Sequence, residues 1–227
     1  NGGGSMKEAI ILSSMFVKSG PISILQNSIG EHEIIEDQSK GQIYDGPMVI
    51  LCNHGVASAS EFFIAAMQDH KRAIIVGSHT NGKASMQSIL PLSFSKKNNE
   101  YLKITGEKFY RITGKSHQGT GITPDIILPQ LNDSIVKNEK DLPNYLKNDN
   151  LNIDLNHQPF ENNHFEKAIT NSKERVQNDS TFILYKKLSQ KVYNSLNDDR
   201  KPLQIKLSDI FKNNHLTDDL YDELEKI

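Results

Sequence analysis

Two short segments carry side chains of types that could perform nucleophilic chemistry. The first, Asn53-His54-Gly55-Val56-Ala57-Ser58-Ala59-Ser60-Glu61, follows an apolar run and opens a stretch of helical pattern. A strand-to-helix turn lifts a hydroxyl clear of a sheet, and the first amides of the helix lack intrahelical acceptors and can face negative charge. Ser58 would be the nucleophile there, with the Ala59 N–H aimed at a developing oxyanion. Ser58 or Ser60 also reads as an ordinary helix cap. The second segment is Thr80-Asn81-Gly82-Lys83-Ala84-Ser85-Met86-Gln87. Its Gly-Lys pair lacks phosphate-loop spacing, because Ala84 follows the lysine and Gly77 stands five residues before Gly82. Lys83 would serve as a general base only if desolvation lowers its ordinary pKa of about 10.4. The alternative is a solvated loop lysine. Asn1-Gly2-Gly3-Gly4 either brings backbone close to a bound group or forms a flexible turn.

The elements that must position these residues alternate between strand and helix. Ser5 to Val17 has an amphipathic pattern, with Ser5 and Glu8 at capping-box spacing, and Pro21 ends the run. Short strands are expected at Ile22–Gln26 and Glu33–Glu36, around Asn27-Ser28-Ile29-Gly30. Met48 to Cys52 is continuously apolar, as in a strand buried on both faces. A helix follows over Ser60–His70, then a buried strand over Ala73–Gly77. Further strands are expected at Met86–Leu92, Glu100–Thr105 and Phe109–Ile112, before a turn-rich stretch from Thr113 to Thr123. Such alternation argues for α/β layering.

The composition changes near residue 131. All 14 glycines lie before it, whereas the remainder is rich in Asn and has apolar residues at helical spacing: Phe182, Leu184, Tyr185, Leu188, Val192 and Leu196. Two regions are therefore expected, a strand-and-turn core over 1–131 and a helical extension over 132–227, joined through Leu128-Pro129-Gln130. The extension is expected to carry no catalytic group. With 26 basic and 28 acidic side chains there is no basic stripe for nucleic acid. One cysteine, Cys52, excludes an internal disulfide framework and a Cys-based zinc site, and the eight histidines show no metal-binding helical pair. No apolar run approaches the roughly 18 residues of a membrane span. The chain opens at Asn1 with no targeting pattern and reads as a piece of a longer protein.

Taken together, the motifs resemble the C-terminal processing peptidases, in their tail-specific protease branch. The resemblance rests on six motifs in order: Asn1–Gly4, Ser58–Glu61, Ala66–His70, Thr80–Gln87, Lys108–Arg111 and Gly121–Ile126. It covers roughly residues 1–129. It implies a Ser-Lys serine peptidase with Ser58 as nucleophile, Lys83 as base and Gln87 orienting the lysine. Gly3 and Gly4, with Ala59, would supply the oxyanion donors. Glu61, Asp69 and Thr80 would support the site. The implied fold is α/β, part of a crotonase/ClpP-like core followed by a helical C-terminal extension. No metal or organic cofactor is implied.

The implied partners are protein or peptide substrates held by their C-terminal ends, with neither nucleic acid nor metal, and a PDZ module is expected upstream. The implied compartment is the periplasm or the periplasmic side of a membrane. Asn81, Ala84-Ser85 and Val56 depart from the family pattern and touch substrate-groove detail rather than catalytic atoms. A non-hydrolytic ligand-binding or scaffold relative of the same fold is the alternative, and the intact Ser58, Lys83 and Gln87 speak against it. If Lys83 is not the base, His54 is the nearest histidine. The Ser58 hydroxyl and the Lys83 ammonium are expected within about 4 Å of each other. On an ideal strand the Lys83 and Gln87 Cα atoms would stand about 13 Å apart, so their contact requires leaning side chains or a tighter turn at Ala84-Ser85.

Overall fold

The computed structural model describes residues 1–227 except 40, 93–99, 132, 134, 162, 198–205, 216, 217, 219–221, 223, 224 and 227. The chain divides into two compact units, one formed by Asn1–Ile127 with Lys137–Ile169, the other by Leu128–Val136 with Thr170–Ile227. The boundary differs from the composition break at residue 131, because residues 137–169 belong to the first unit.

Helix α1 (Met6–Ser14) starts where the Ser5 hydroxyl accepts the Glu8 amide at 3.3 Å, and it stops earlier than the apolar pattern suggests. Strands β1 (Pro21–Asn27) and β2 (His32–Glu36) form an antiparallel hairpin. Asn27 fixes its turn by accepting the Ile29 and Glu31 amides on Oδ1. Strand β3 (Val49–Cys52), helix α2 (Ala59–Asp69) and strand β4 (Ile74–Gly77) make a parallel crossover unit. Strands β5 (Ser85–Pro91) and β6 (Tyr101–Tyr110) pair antiparallel, and β7 (Ile126–Ile127) adds parallel to β4. Two sheets result, with strand orders β2-β1-β6-β5 and β3-β4-β7.

The core holds Phe62, Ile64, Ala65, Ala66 and Met67 of α2, Ile22 and Leu25 of β1, Ile75 of β4 and Phe109 of β6. The Phe62 and Phe109 rings meet edge to face at 5.7 Å, which locks α2 onto β6.

Two strand expectations change. β3 is not buried on both faces: Val49 is 58% and Leu51 76% exposed, while Cys52 is buried. It is an edge strand, and of its alternating side chains Ile50 packs against the core while Val49 and Leu51 are exposed. The two strands expected on either side of Gly106 are one ten-residue strand, β6. Glu107 faces Met86 and Thr105 faces Gln87, so Gly106 is the unpaired residue of a β-bulge.

From Lys137 to Glu161 the first unit carries a strap whose one regular piece, among the described residues, is a short 3-10 turn (Glu139–Asp141). Backbone bonds lace it to the core: Glu139 N–H to Asn81 O at 3.1 Å, Leu151 to Gly114 and Leu155 to Ile112, both at 2.8 Å, and Phe160 to His70 at 2.7 Å. Residues 137–161 are therefore not part of a helical extension. Helices occupy Asn163–Asn178 (α3), Ser180–Asn197 (α4) and Leu207–Asn214 (α5). In the second unit, Leu188 and Val192 of α4 bury against Leu184 and Leu131, as the helical spacing suggests; the Leu196 side chain lies outside the described residues. Among the described residues, no helix is long and apolar enough to cross a membrane.

Candidate active site

Ser58 stands between β3 and α2 with φ 57° and ψ −123°, a conformation that non-glycine residues rarely adopt. Such local strain persists only where surrounding structure imposes it, and it exposes a side chain at a sharp strand-to-helix turn. Two neighbours impose it here. Gly3 lies against the turn with φ +98°, and a Cβ there would stand 2.7 Å from Ala57 O and 2.9 Å from the Ser58 Cβ. Only glycine fits that approach. The Asn1 carbonyl accepts the Ala57 amide at 3.4 Å. The glycine segment, distant in sequence, thus packs on the serine turn. Ala59 provides the first helical amide, one of the donors without an intrahelical acceptor. Gly3, Gly4, Val56, Ala59 and Phe63 are among the residues lining an open cavity of about 380 Å³.

Glu61, fully buried, joins the serine turn to the lysine loop. Its Oε2 accepts the Ser58 amide at 2.9 Å and the Lys83 amide at 2.8 Å. Its Oε1 accepts the Gly82 amide at 2.7 Å and the Thr80 hydroxyl at 2.5 Å. Burial raises the carboxyl above the ordinary glutamate range, while donors from Thr80, Gly82, Lys83 and Ser58 favour the carboxylate. Thr80 also accepts the Ile122 amide at 2.7 Å.

Every amide from Thr80 to Ala84 has an acceptor. Thr80 donates to Ile122 O and Asn81 to Val56 O, Gly82 and Lys83 donate to Glu61, and Ala84 donates to Gln118 Oε1 at 2.7 Å. Gly82 is required by close packing, since a Cβ would stand 2.8 Å from the Gly121 nitrogen.

The Lys83 ammonium donates to Gln87 Oε1 at 2.6 Å and to Ser85 O at 3.1 Å. Burial lowers its proton affinity; Glu139 opposes this, Lys103 reinforces it and Glu61 opposes it. Gln87 is itself oriented, because its amide nitrogen donates to Ser85 Oγ at 3.1 Å and Thr105 Oγ1 at 3.2 Å, leaving its oxygen for the lysine. The sequence spacing left this contact open. Lys83 precedes β5, and the bulge at Gly106 sets Gln87 opposite Thr105. The structure brings Ser58 and Lys83 together through their amides on one Glu61 oxygen. The lysine head group bonds Gln87 and Ser85, and no hydrogen bond joins it to the Ser58 hydroxyl.

Asp69 closes α2 away from these atoms. Its Oδ1 accepts Arg111 Nε at 2.9 Å and also Arg111 Nη2. It acts as support, tying the helix to the residue after β6. Gln118, Thr105, Arg111 and Glu139 were not singled out as site residues from sequence. Arg111 lay within a quoted motif, whereas the other three carry no spacing signal.

The family model of peptidase family S41 matches residues 1–128. A tail-specific protease of Haemophilus influenzae is 38% identical over 138 residues, 59% of this chain and 20% of that protein. A carboxy-terminal-processing protease of Bartonella bacilliformis is 38% identical over 131 residues, 57% of this chain and 29% of that protein. The solved structure of a photosystem II D1 C-terminal processing protease aligns with a TM-score of 0.50 and 29% identity, covering 56% of this chain and 32% of that one. The chain thus spans about a fifth to a third of the length of these relatives.

Proposed function

Because the chain belongs to peptidase family S41, we propose that it carries the nucleophile, base and oxyanion donors of a serine endopeptidase that cleaves protein substrates near their C-terminal tails. The observation that carries this reading is the convergence on Glu61 of the strained Ser58 turn and the loop of a half-buried lysine held by Gln87. Ser58 Oγ attacks the scissile carbonyl. Lys83, neutral, takes the hydroxyl proton after giving up its bond to Ser85 O and later returns it to the leaving amine. The Ala59 amide and those of Gly3 and Gly4 receive the oxyanion. Water then hydrolyses the acyl-enzyme. The open apolar cavity beside Gly3 and Ala59 could take an apolar substrate side chain. In this reading the first unit is part of a crotonase/ClpP-like core, no cofactor takes part, a PDZ module elsewhere in the protein presents the substrate's C-terminal end, and the compartment is periplasmic.

The test is cleavage of a tail-bearing substrate, with fluorophosphonate labelling of Ser58, by the whole protein across pH. Because the base must be neutral, activity rises with pH through a midpoint below the free-lysine value of about 10.4. Ser58→Ala abolishes labelling. Lys83→Arg lowers turnover by at least about a thousandfold, since guanidinium keeps its proton. Cleavage by Lys83→Arg at near-parental rate would exclude lysine as the base.

A further inference from the structure

Glu139 lies outside the stretch that matches the family, in the strap, yet it bonds to the lysine loop. Its backbone N–H donates to the Asn81 carbonyl at 3.1 Å. Its carboxylate accepts Gln118 Nε2 at 3.3 Å, and the other end of the fully buried Gln118 amide accepts the Ala84 N–H at 2.7 Å. Asn81 and Ala84 flank Gly82 and Lys83. One residue of the strap therefore grips both ends of the loop whose centre is held by Glu61.

We propose that Glu139 is a positioning residue of the site: through Asn81 and Gln118 it fixes the loop that carries Lys83, and its negative charge tunes how readily the lysine ammonium gives up its proton. The tuning half of this rests on the reading of Lys83 as the base. The charged groups that act on the ammonium are Glu139 from the strap, Lys103 from β6 and Glu61 from α2. Glu139 opposes the effect of burial, so it holds the lysine closer to its ordinary proton affinity than desolvation alone would leave it. Glu61 spends its oxygens on three backbone amides and the Thr80 hydroxyl, whereas Glu139 can be neutralised without dismantling that frame. A glutamine at 139 keeps an oxygen for Gln118 and removes only the charge.

The experiment titrates Lys83 directly in the whole protein, with lysine labelled at Cε, the Lys83 resonance assigned by its loss in Lys83→Arg, and acylation of Ser58 by a fluorophosphonate followed in parallel. In Glu139→Gln the Lys83 midpoint moves down by about half a pH unit, the size expected for a partly screened charge pair. Acylation well below the midpoint then rises about threefold, following the tenfold-per-unit relation. Glu139→Asp keeps the charge and leaves the midpoint near the parent's. Gln118→Leu frees the Ala84 amide and slows acylation without moving the midpoint. An unmoved Lys83 resonance in Glu139→Gln overturns the electrostatic role, and unchanged acylation in Gln118→Leu overturns the clamp. If the resonance moves while Lys83→Arg still cleaves normally, the fault lies with the assignment of the base and not with Glu139.

Discussion

Glu61 has two oxygens and four donors, two on each oxygen, and this count determines how it can be replaced. A glutamine has the same shape, but its NH2 end cannot accept. Two of the four donors would lose their acceptor in a fully buried place, at about 1–3 kcal/mol each. Glu61→Gln is therefore expected to destabilise the protein by about 2–6 kcal/mol and to slow Ser58 acylation, because the serine turn and the lysine loop lose their common anchor. Chemical denaturation together with fluorophosphonate labelling checks this. A variant with parental stability and labelling would mean that the four-donor arrangement is not what holds the site. Ser58, Lys83 and Gln87 were legible as candidate site residues through the motifs that resemble the C-terminal processing peptidases, although by type alone Ser58 also reads as a helix cap and Lys83 as a solvated loop lysine. Their anchoring was not. Glu61 reads from sequence as an acid in the first turn of a helix, and only the fold shows that its carboxylate points inward onto a loop from a different element.

At the scale of elements, the alternation of strand and helix was legible from apolar runs punctuated by Gly and Pro, and the helix and strands nearest the site lie close to where the pattern puts them. Exposure was not legible. A continuous apolar run such as Val49–Cys52 does not say which of its faces a neighbour covers, and β3 proves to be an edge strand. Gly106 lies between the two strands expected at Glu100–Thr105 and Phe109–Ile112. It is a bulge, and the bulge gives β5 the register that sets Gln87 beside Thr105. The Asp69–Arg111 pair joins the end of α2 to the end of β6, with the Asp69 side chain 5% and the Arg111 side chain 22% exposed. Removing one partner of a buried pair costs about 3–5 kcal/mol, and the exposed part of Arg111 reduces this. Asp69→Asn is expected to lose about 1–3 kcal/mol while leaving the pH midpoint of acylation where it was. Denaturation curves and the pH profile separate these effects, and a shifted midpoint would show that Asp69 acts on the base as well as on the scaffold.

At the scale of the whole molecule, the two units differ in what they can contribute to the site. The strap belongs to the unit that contains Ser58 and Lys83, although composition grouped it with the helices. It has no apolar period, and most of the bonds that lace it to the core use backbone groups, which sequence patterning does not report. Its Leu151 and Leu155 amides pair with the carbonyls of Gly114 and Ile112, its His157 ring meets the Asp69 carbonyl at 3.1 Å, and its Glu139 grips the lysine loop. The second unit has its own small cluster around Leu188 and Val192. Two truncations of the whole protein should therefore part company. A stop after Asn178 keeps the strap and α3, and Ser58 should still react with a fluorophosphonate at a rate within about threefold of the parent's, a difference of under ~1 kcal/mol in the barrier. A stop after Val136 removes the strap. It frees the Asn81 carbonyl and the Gln118 amide and uncovers the end of α2, so labelling should fall by more than about tenfold in the fraction that remains folded. Labelling is measured against folded protein, counted by circular dichroism, so that loss of structure is not mistaken for loss of chemistry. If the longer truncation labels as fast as the shorter one, residues 137–161 pack on the first unit without positioning Lys83.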